Sequence, residues 1–236
     1  MPKLGSLTLL MLATLAISGL FVLWPQLDIA ISSLFGGAQG FPIASQGWAE
    51  VLRQVLMWAT RLAALATLIW LLATLARGAA ARVNWRLPAF AMLSFILGPW
   101  LLVNELFKSH WGRARPRDIA EFGGDALFTP AWKIADQCAA NCSFVSGEAG
   151  MSVATALLIA ILFAPNLRRY QFWLLGAFGT LGAGLRVVVG AHFASDAILS
   201  GLFCALIILA GYRLFNIAAH HQPNLARAIW ADLRRR

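Results

Sequence analysis

Three short polar stretches of this chain carry residue types that could do chemistry together. Lys108, Arg115 and Arg186 are cations, Ser146-Gly147-Glu148 puts a hydroxyl beside a glycine and a carboxylate, and His192 stands four residues before Asp196. Guanidinium forks match the oxygens of a phosphate ester and lysine adds a compact charge, so the three cations suit a phosphate cradle. They would also stabilise charge on a phosphoryl group in transfer. Ser146 and the N–H groups of Gly147 and Glu148 fall where a helix is expected to begin, which adds donors and a favourable dipole. An imidazole oriented by Asp196 keeps one nitrogen free to attack phosphorus, so hydrolysis would pass through a phosphohistidine.

The elements that must position these residues are membrane helices. Sixty per cent of the residues are hydrophobic and twelve per cent charged, and six apolar runs, at about 7–24, 48–76, 87–107, 149–164, 172–189 and 197–215, approach or exceed spanning length. The fold class expected is all-α: a polytopic membrane protein of six transmembrane helices, one domain over 1–236. The second run is long and the fourth short, so tilts or kinks are expected there. The first run is longer than the apolar core of a signal peptide and is read as an uncleaved anchor.

Basic residues set the orientation. Lys3, the group Arg77, Arg82 and Arg86, the pair Arg168-Arg169, and Arg213, Arg227 and Arg234 to Arg236 put both termini in the cytoplasm by the positive-inside rule. The connection 108–145 then faces the periplasm although it carries Lys108, Arg113, Arg115, Arg117 and Lys133, a violation that calls for a different task. The same topology brings all three polar stretches to one membrane face. The net charge of +9 is therefore largely topological, and nucleic-acid binding is a poor explanation for it.

Lys108 to Pro116 fits K-x6-R-P, Ser146-Gly147 fits the centre of P-S-G-H, and Arg186 to Asp196 fits R-x5-H-x3-D. In order, spacing and side the chain resembles the type 2 phosphatidic acid phosphatase superfamily, including its integral-membrane members. The resemblance implies that Lys108, Arg115, Ser146, Gly147 and Arg186 bind phosphate, that His192 is the nucleophile and that Asp196 orients it. It implies no metal and no other cofactor, and the four histidines are too scattered for an obvious metal cluster, His220-His221 falling in the tail.

One departure concerns the chemistry. Where the family usually has Pro and His the chain has Val145 and Glu148, and that His is expected to protonate the departing oxygen. Glu148 is either a protonated acid in a dry pocket or an ionised partner of Arg186 or Arg115, with His110 or water giving the proton. A weakly basic leaving group needs less acid help, which favours the anomeric phosphate of lipid A or a diphosphate over alkyl phosphates.

Other features fill in the design. Arg53 is expected to pair with Glu50 or Glu105, while Arg61 has no evident partner. Gly176, Thr180 and Gly184 read as a close helix contact. Cys138 and Cys142 can close a small loop in an oxidising compartment, constraining the approach to Ser146, and Cys204 packs inside the last span. Trp132 and Phe128 are expected in a headgroup lid. Leu225, Ile229, Trp230 and Leu233, interleaved with arginines, suit a helix lying on an anionic inner leaflet within the basic tail 216–236.

The reading is a multi-pass bacterial inner-membrane enzyme with a periplasmic site, acting on a lipid phosphate held in the bilayer. The expected substrate is lipid A 1-phosphate, with undecaprenyl diphosphate and phosphatidylglycerophosphate next. A lipid phosphotransferase is the competitor within enzymes. A lipid-binding or lipid-flipping protein is the competitor outside them.

Overall fold

A computed structural model describes residues 4–78, 84–220 and 224–234, so Lys3, Arg82, His221, Arg235 and Arg236 lie outside the described residues. The chain is all-helical, and six helices are long and apolar enough to cross a membrane: Gly5–Leu23, Gly47–Arg77, Arg86–Lys108, Gly147–Asn166, Arg169–Val188 and Ala194–Leu214. We label the helices α1 (Leu4–Leu23), α2 (Gln26–Ser32), α3 (Gly47–Arg77), α4 (Arg86–Phe95, continued by Ile96–Lys108), α5 (Gly147–Phe163), α6 (Arg169–Val188), α7 (Ala194–Leu214) and α8 (Leu225–Arg234). The six expected runs agree with these spans to within a few residues. α2 has no counterpart among the expectations, because seven residues are too few for a periodic signal.

The long second run is one unbroken helix of 31 residues, about 46 Å at the usual rise. The third span does change register. From Ile96 it continues as a π-helix containing Pro99, and the Pro99 carbonyl accepts from Asn104 Nδ2 at 2.9 Å. A proline lacks the N–H that α geometry needs, and a wider turn is one way a helix passes it.

α5 is the centre of the bundle, packed by α3, α4, α6 and α7. Small residues permit this. A Cβ on Gly182 would stand 2.1 Å from Ser152 Oγ, and one on Gly150 2.6 Å from Ser200 Oγ. The expected contact along Gly176, Thr180 and Gly184 is not formed, since Gly176 and Gly184 have nothing within 4 Å of a Cβ position. The packed face of α6 carries Gly179 and Gly182 instead, about 130° around the helix.

The tail forms its helix. Leu225 is buried, and Ala228 and Ile229 pack against the main core, while Trp230 remains 61% exposed with Arg234 over its ring. α8 lies against α3 and α5. The connection after α4 is held by aromatic packing: Trp132 stacks edge-on with Phe107, Trp111 and Phe144, and Phe128 with Phe193. Those two rings are therefore anchors of the connection, and neither lines the two cavities at the site.

Candidate active site

The third span ends at Lys108, α5 begins at Gly147, and α6 and α7 meet through a loop holding His192, so one end of the bundle receives all three polar stretches. Backbone bonds sew them together. Arg117 N–H donates to the Gly190 carbonyl at 3.1 Å, Ser143 N–H to Arg113 at 2.8 Å, and Ser146 N–H to Asp196 at 3.2 Å. Gly190 makes the tight turn before His192: its φ is +64°, and a Cβ there would fall 2.3 Å from the Phe41 ring. That combination admits only glycine without rearrangement.

Lys108, Arg115, Arg186 and His192 line a polar cavity of about 330 Å³, together with Glu50, Arg53, Arg117, Asn141 and Glu148. A second cavity of about 520 Å³ runs from Arg53, Lys108, Gly147, Glu148 and Arg186 down between α3, α4, α5 and α6, past Met57, Phe95 and Trp100 to Arg61. The two share Arg53, Lys108, Glu148 and Arg186 at their junction. Arg61, unpaired in the sequence reading, stacks over Trp58 at 5.3 Å.

His192 is 1% exposed, and its Nδ1 lies 2.7 Å from the carbonyl oxygen of Ser143. A carbonyl only accepts, so the proton belongs on Nδ1 and Nε2 carries the free lone pair. Burial first, then the charges of Arg186, Lys108 and Arg115, holds the imidazole well below its ordinary pKa of 6.5. The shift favours the neutral ring.

Among the described residues no hydrogen bond joins Asp196 to that ring. Its Oδ2 accepts from Ser143 Oγ at 2.5 Å and from Phe193 N–H at 3.0 Å, and its Oδ1 accepts from Arg113 Nη1 at 2.6 Å. It reaches His192 through Ser143, whose hydroxyl it holds and whose carbonyl takes the imidazole proton. The N-cap position of α7 is Phe193, from whose N–H Asp196 accepts.

Ser146 caps α5, its Oγ accepting from Ala149 N–H at 3.4 Å, and it is fully buried behind the cavity wall. The parts of that turn lining the cavities are Gly147 and Glu148, whose N–H groups are among the orphan donors of a helix start. Arg186 Nε has no hydrogen-bond partner among the described residues, and none is described for the Lys108 ammonium. Arg115 Nη2 donates to the Asn141 carbonyl at 2.7 Å, and Asn141 sits inside the Cys138–Cys142 disulfide loop. That loop thus steadies Arg115, where the sequence suggested a constraint at Ser146.

Glu148 is an ion-pair partner. Its Oε1 accepts from Arg53 Nη1 at 3.0 Å, and Oε2 lies 3.7 Å from Arg186 Nε. Arg53 is itself clasped by Glu50 at 2.6 and 2.7 Å, as one of the two expected pairings had it. Among the described residues no hydrogen bond or ion pair joins Glu148 to Arg115, and His110 contacts the carbonyls of Glu105 and Leu106, away from both cavities.

Two sets of residues stand at the site in roles that the sequence did not indicate. Arg53 comes from α3 and meets Glu148 across 95 positions. Arg113, fully buried, bridges Asp196 and Asp28. The signal available for Arg113 was its place in the cation-rich connection that breaks the positive-inside rule; Asp28 offered only a lone acid in a neutral stretch.

An imidazole facing a cationic pocket at the end of a bundle of membrane-spanning helices is the setting of an integral-membrane phosphatase, a hydrolase of phosphoric esters. The chain belongs to the PAP2 superfamily, whose family model matches residues 86–219. It is 33% identical over 226 residues to the lipid A 4'-phosphatase of Rhizobium leguminosarum, covering 89% of this chain and 95% of that one. It is 32% identical to the lipid A 4'-phosphatase of Rhizobium etli over 93% of this chain and 91% of that one. To the protein of that name from Francisella tularensis subsp. novicida it is 36% identical, over 53% of this chain and 56% of the other. No solved structure matches.

Proposed function

We propose that the protein removes a phosphate monoester from lipid A at the periplasmic face of the bacterial inner membrane, through a phosphohistidine on His192 and without a metal. The observation that carries this reading is the imidazole of His192, its Nδ1 fixed on a carbonyl and its edge lining a pocket with Lys108, Arg115 and Arg186. The three cations take the phosphoryl oxygens and stabilise their charge as phosphorus passes from the lipid oxygen to Nε2. Asp196 acts on the nucleophile through Ser143. The helix-start N–H groups of Gly147 and Glu148, with Ser146 setting the turn, complete the cradle.

The substrate position favoured is the 4'-phosphate, because relatives matched over nearly their full length carry that activity in their names. This replaces the anomeric 1-phosphate preferred from Glu148 alone. As acceptor to Arg53, Glu148 is set to balance charge, and water from the polar cavity supplies the proton to the leaving oxygen. The periplasmic side is supported by the loop charges and by a disulfide in the same connection, as suits an oxidising compartment.

The test is phosphate release by purified wild type and His192→Ala in detergent with chelator, from lipid A, undecaprenyl diphosphate and phosphatidylglycerophosphate. Mass spectrometry of the lipid product reports which phosphate is lost. Release that requires His192 and removes the 4' group is the expected result; release that survives His192→Ala refutes the nucleophile.

A further inference from the structure

Asp28 belongs to none of the three polar stretches and lies outside the residues matched by the family model. It is nonetheless only 1% exposed, on the short helix α2 where it stands against α7. Its Oδ1 accepts from Ser195 N–H at 2.9 Å, and its Oδ2 from Ser195 Oγ at 2.5 Å and Arg113 Nη2 at 2.8 Å. The other end of the Arg113 fork, Nη1, donates to Asp196 Oδ1 at 2.6 Å. Asp196 holds the Ser143 hydroxyl, and the Ser143 carbonyl receives the imidazole of His192. One continuous run of hydrogen bonds therefore joins α2 to the nucleophile.

Counted by formal charge, this run does not cancel. Two carboxylates share one guanidinium, and all three groups are at most 1% exposed. A surplus negative charge away from water is expensive unless a cation forms beside it. The cation that forms during the reaction is the imidazole ring: attack through Nε2, with Nδ1 still protonated, leaves the phosphorylated ring positive.

We propose that Asp28 is a positioning residue for phosphoryl transfer, fixing Asp196 and Ser143 through Arg113 and Ser195, while the surplus charge of the cluster stabilises the cationic ring of phosphorylated His192. This rests on the reading of His192 as the nucleophile. In the first step the Nε2 lone pair forms the N–P bond and the ester P–O bond breaks. The lipid oxygen leaves with the bonding pair and takes a proton from water. Nδ1 keeps its proton against the Ser143 carbonyl throughout. In the second step a water oxygen bonds phosphorus, the N–P bond breaks, inorganic phosphate leaves and the proton of the attacking water passes to solvent.

Rapid-quench measurements on full-length wild type, Asp28→Asn, Ser195→Ala and His192→Ala, with lipid A labelled with radiophosphorus, follow the phosphoenzyme directly. Asp28→Asn removes the surplus charge and is expected to slow phosphoenzyme formation about 10- to 100-fold with KM unchanged, the range of a charged hydrogen bond. Ser195→Ala keeps the charge and removes one link, so formation slows about three- to tenfold. Thermal unfolding of each variant fixes the folded fraction; should Asp28→Asn fail to fold, Ser195→Ala decides. Formation at the wild-type rate per folded molecule in the variants that fold means that the cluster is merely structural and overturns this proposal alone. Turnover by His192→Ala with no phosphoenzyme in wild type overturns the nucleophile and this proposal with it.

Discussion

Replacing Glu148 by Gln separates an acid from a counter-ion by size of effect. The carboxylate is 31% exposed and meets Arg53 at 3.0 Å and Arg186 at 3.7 Å. At those distances each attraction is about 1 kcal/mol in a water-like dielectric, the limit suited to so open a group. Glutamine keeps an acceptor for Arg53 and releases Arg186 for the substrate. Inorganic phosphate should then inhibit about fivefold more tightly, and KM for the lipid should fall in step, since about 1 kcal/mol corresponds to that factor. kcat should drop less than tenfold. A general acid removed in the same way costs about 10²- to 10⁴-fold. Phosphate release from lipid A in detergent, over a range of pH and inorganic phosphate, measures all three quantities. A kcat loss beyond a hundredfold, with the alkaline limb of the pH profile abolished, would refute the counter-ion role.

Three further outcomes follow from the geometry. Cys138→Ser with Cys142→Ser, or treatment with a thiol reductant, should raise KM several-fold with little change in kcat, because Arg115 loses the steadying carbonyl of Asn141; Arg115→Ala should already be insensitive to reductant. Because the native pKa of His192 is depressed, the imidazole should stay unprotonated and, with His192 as the proposed nucleophile, kcat/KM should hold below pH 6.5, falling only as pH passes the native value. The same shift makes the unfolded chain bind more protons, so its contribution to stability is full above about pH 6.5 and is lost as pH falls toward the native value, which thermal unfolding in detergent at several pH values measures. Gly182→Ala should destabilise by about 1–3 kcal/mol through overpacking against Ser152, whereas Gly176→Ala should be neutral on the same melting assay.

The spans and the meeting of the three polar stretches were legible because both rest on local signals: runs of apolar residues, and motifs whose internal spacing is fixed. Partnerships between distant residues leave no such mark. Arg113 and Asp28 are 85 positions apart and Ser195 and Asp28 are 167, so a lone acid in a neutral stretch concealed one end of the buried run to His192. Asp196 was assigned to the imidazole from its four-residue spacing, but the first turn of α7 spends one of its oxygens on the Phe193 N–H. The helix contact of α6 lies on a different face from the expected one for a related reason: Gly176 and Gly184 satisfy a small-residue spacing, and only the neighbouring helix selects Gly179 and Gly182.

The polar and apolar cavities share a neck formed by Arg53, Lys108, Glu148 and Arg186, and this governs how an amphiphile arrives and leaves. Lifting an acyl chain into water costs about 0.8 kcal/mol per methylene, roughly 10 kcal/mol for a myristoyl chain. If lipid A is the substrate, as proposed, a tail lodged in the apolar cavity would let it come and go through the bilayer without that desorption cost, while inorganic phosphate would leave through the polar cavity. Turnover would then follow the mole fraction of substrate in the surrounding lipid or detergent and not its bulk molarity, the behaviour of a catalyst whose reaction volume is a surface.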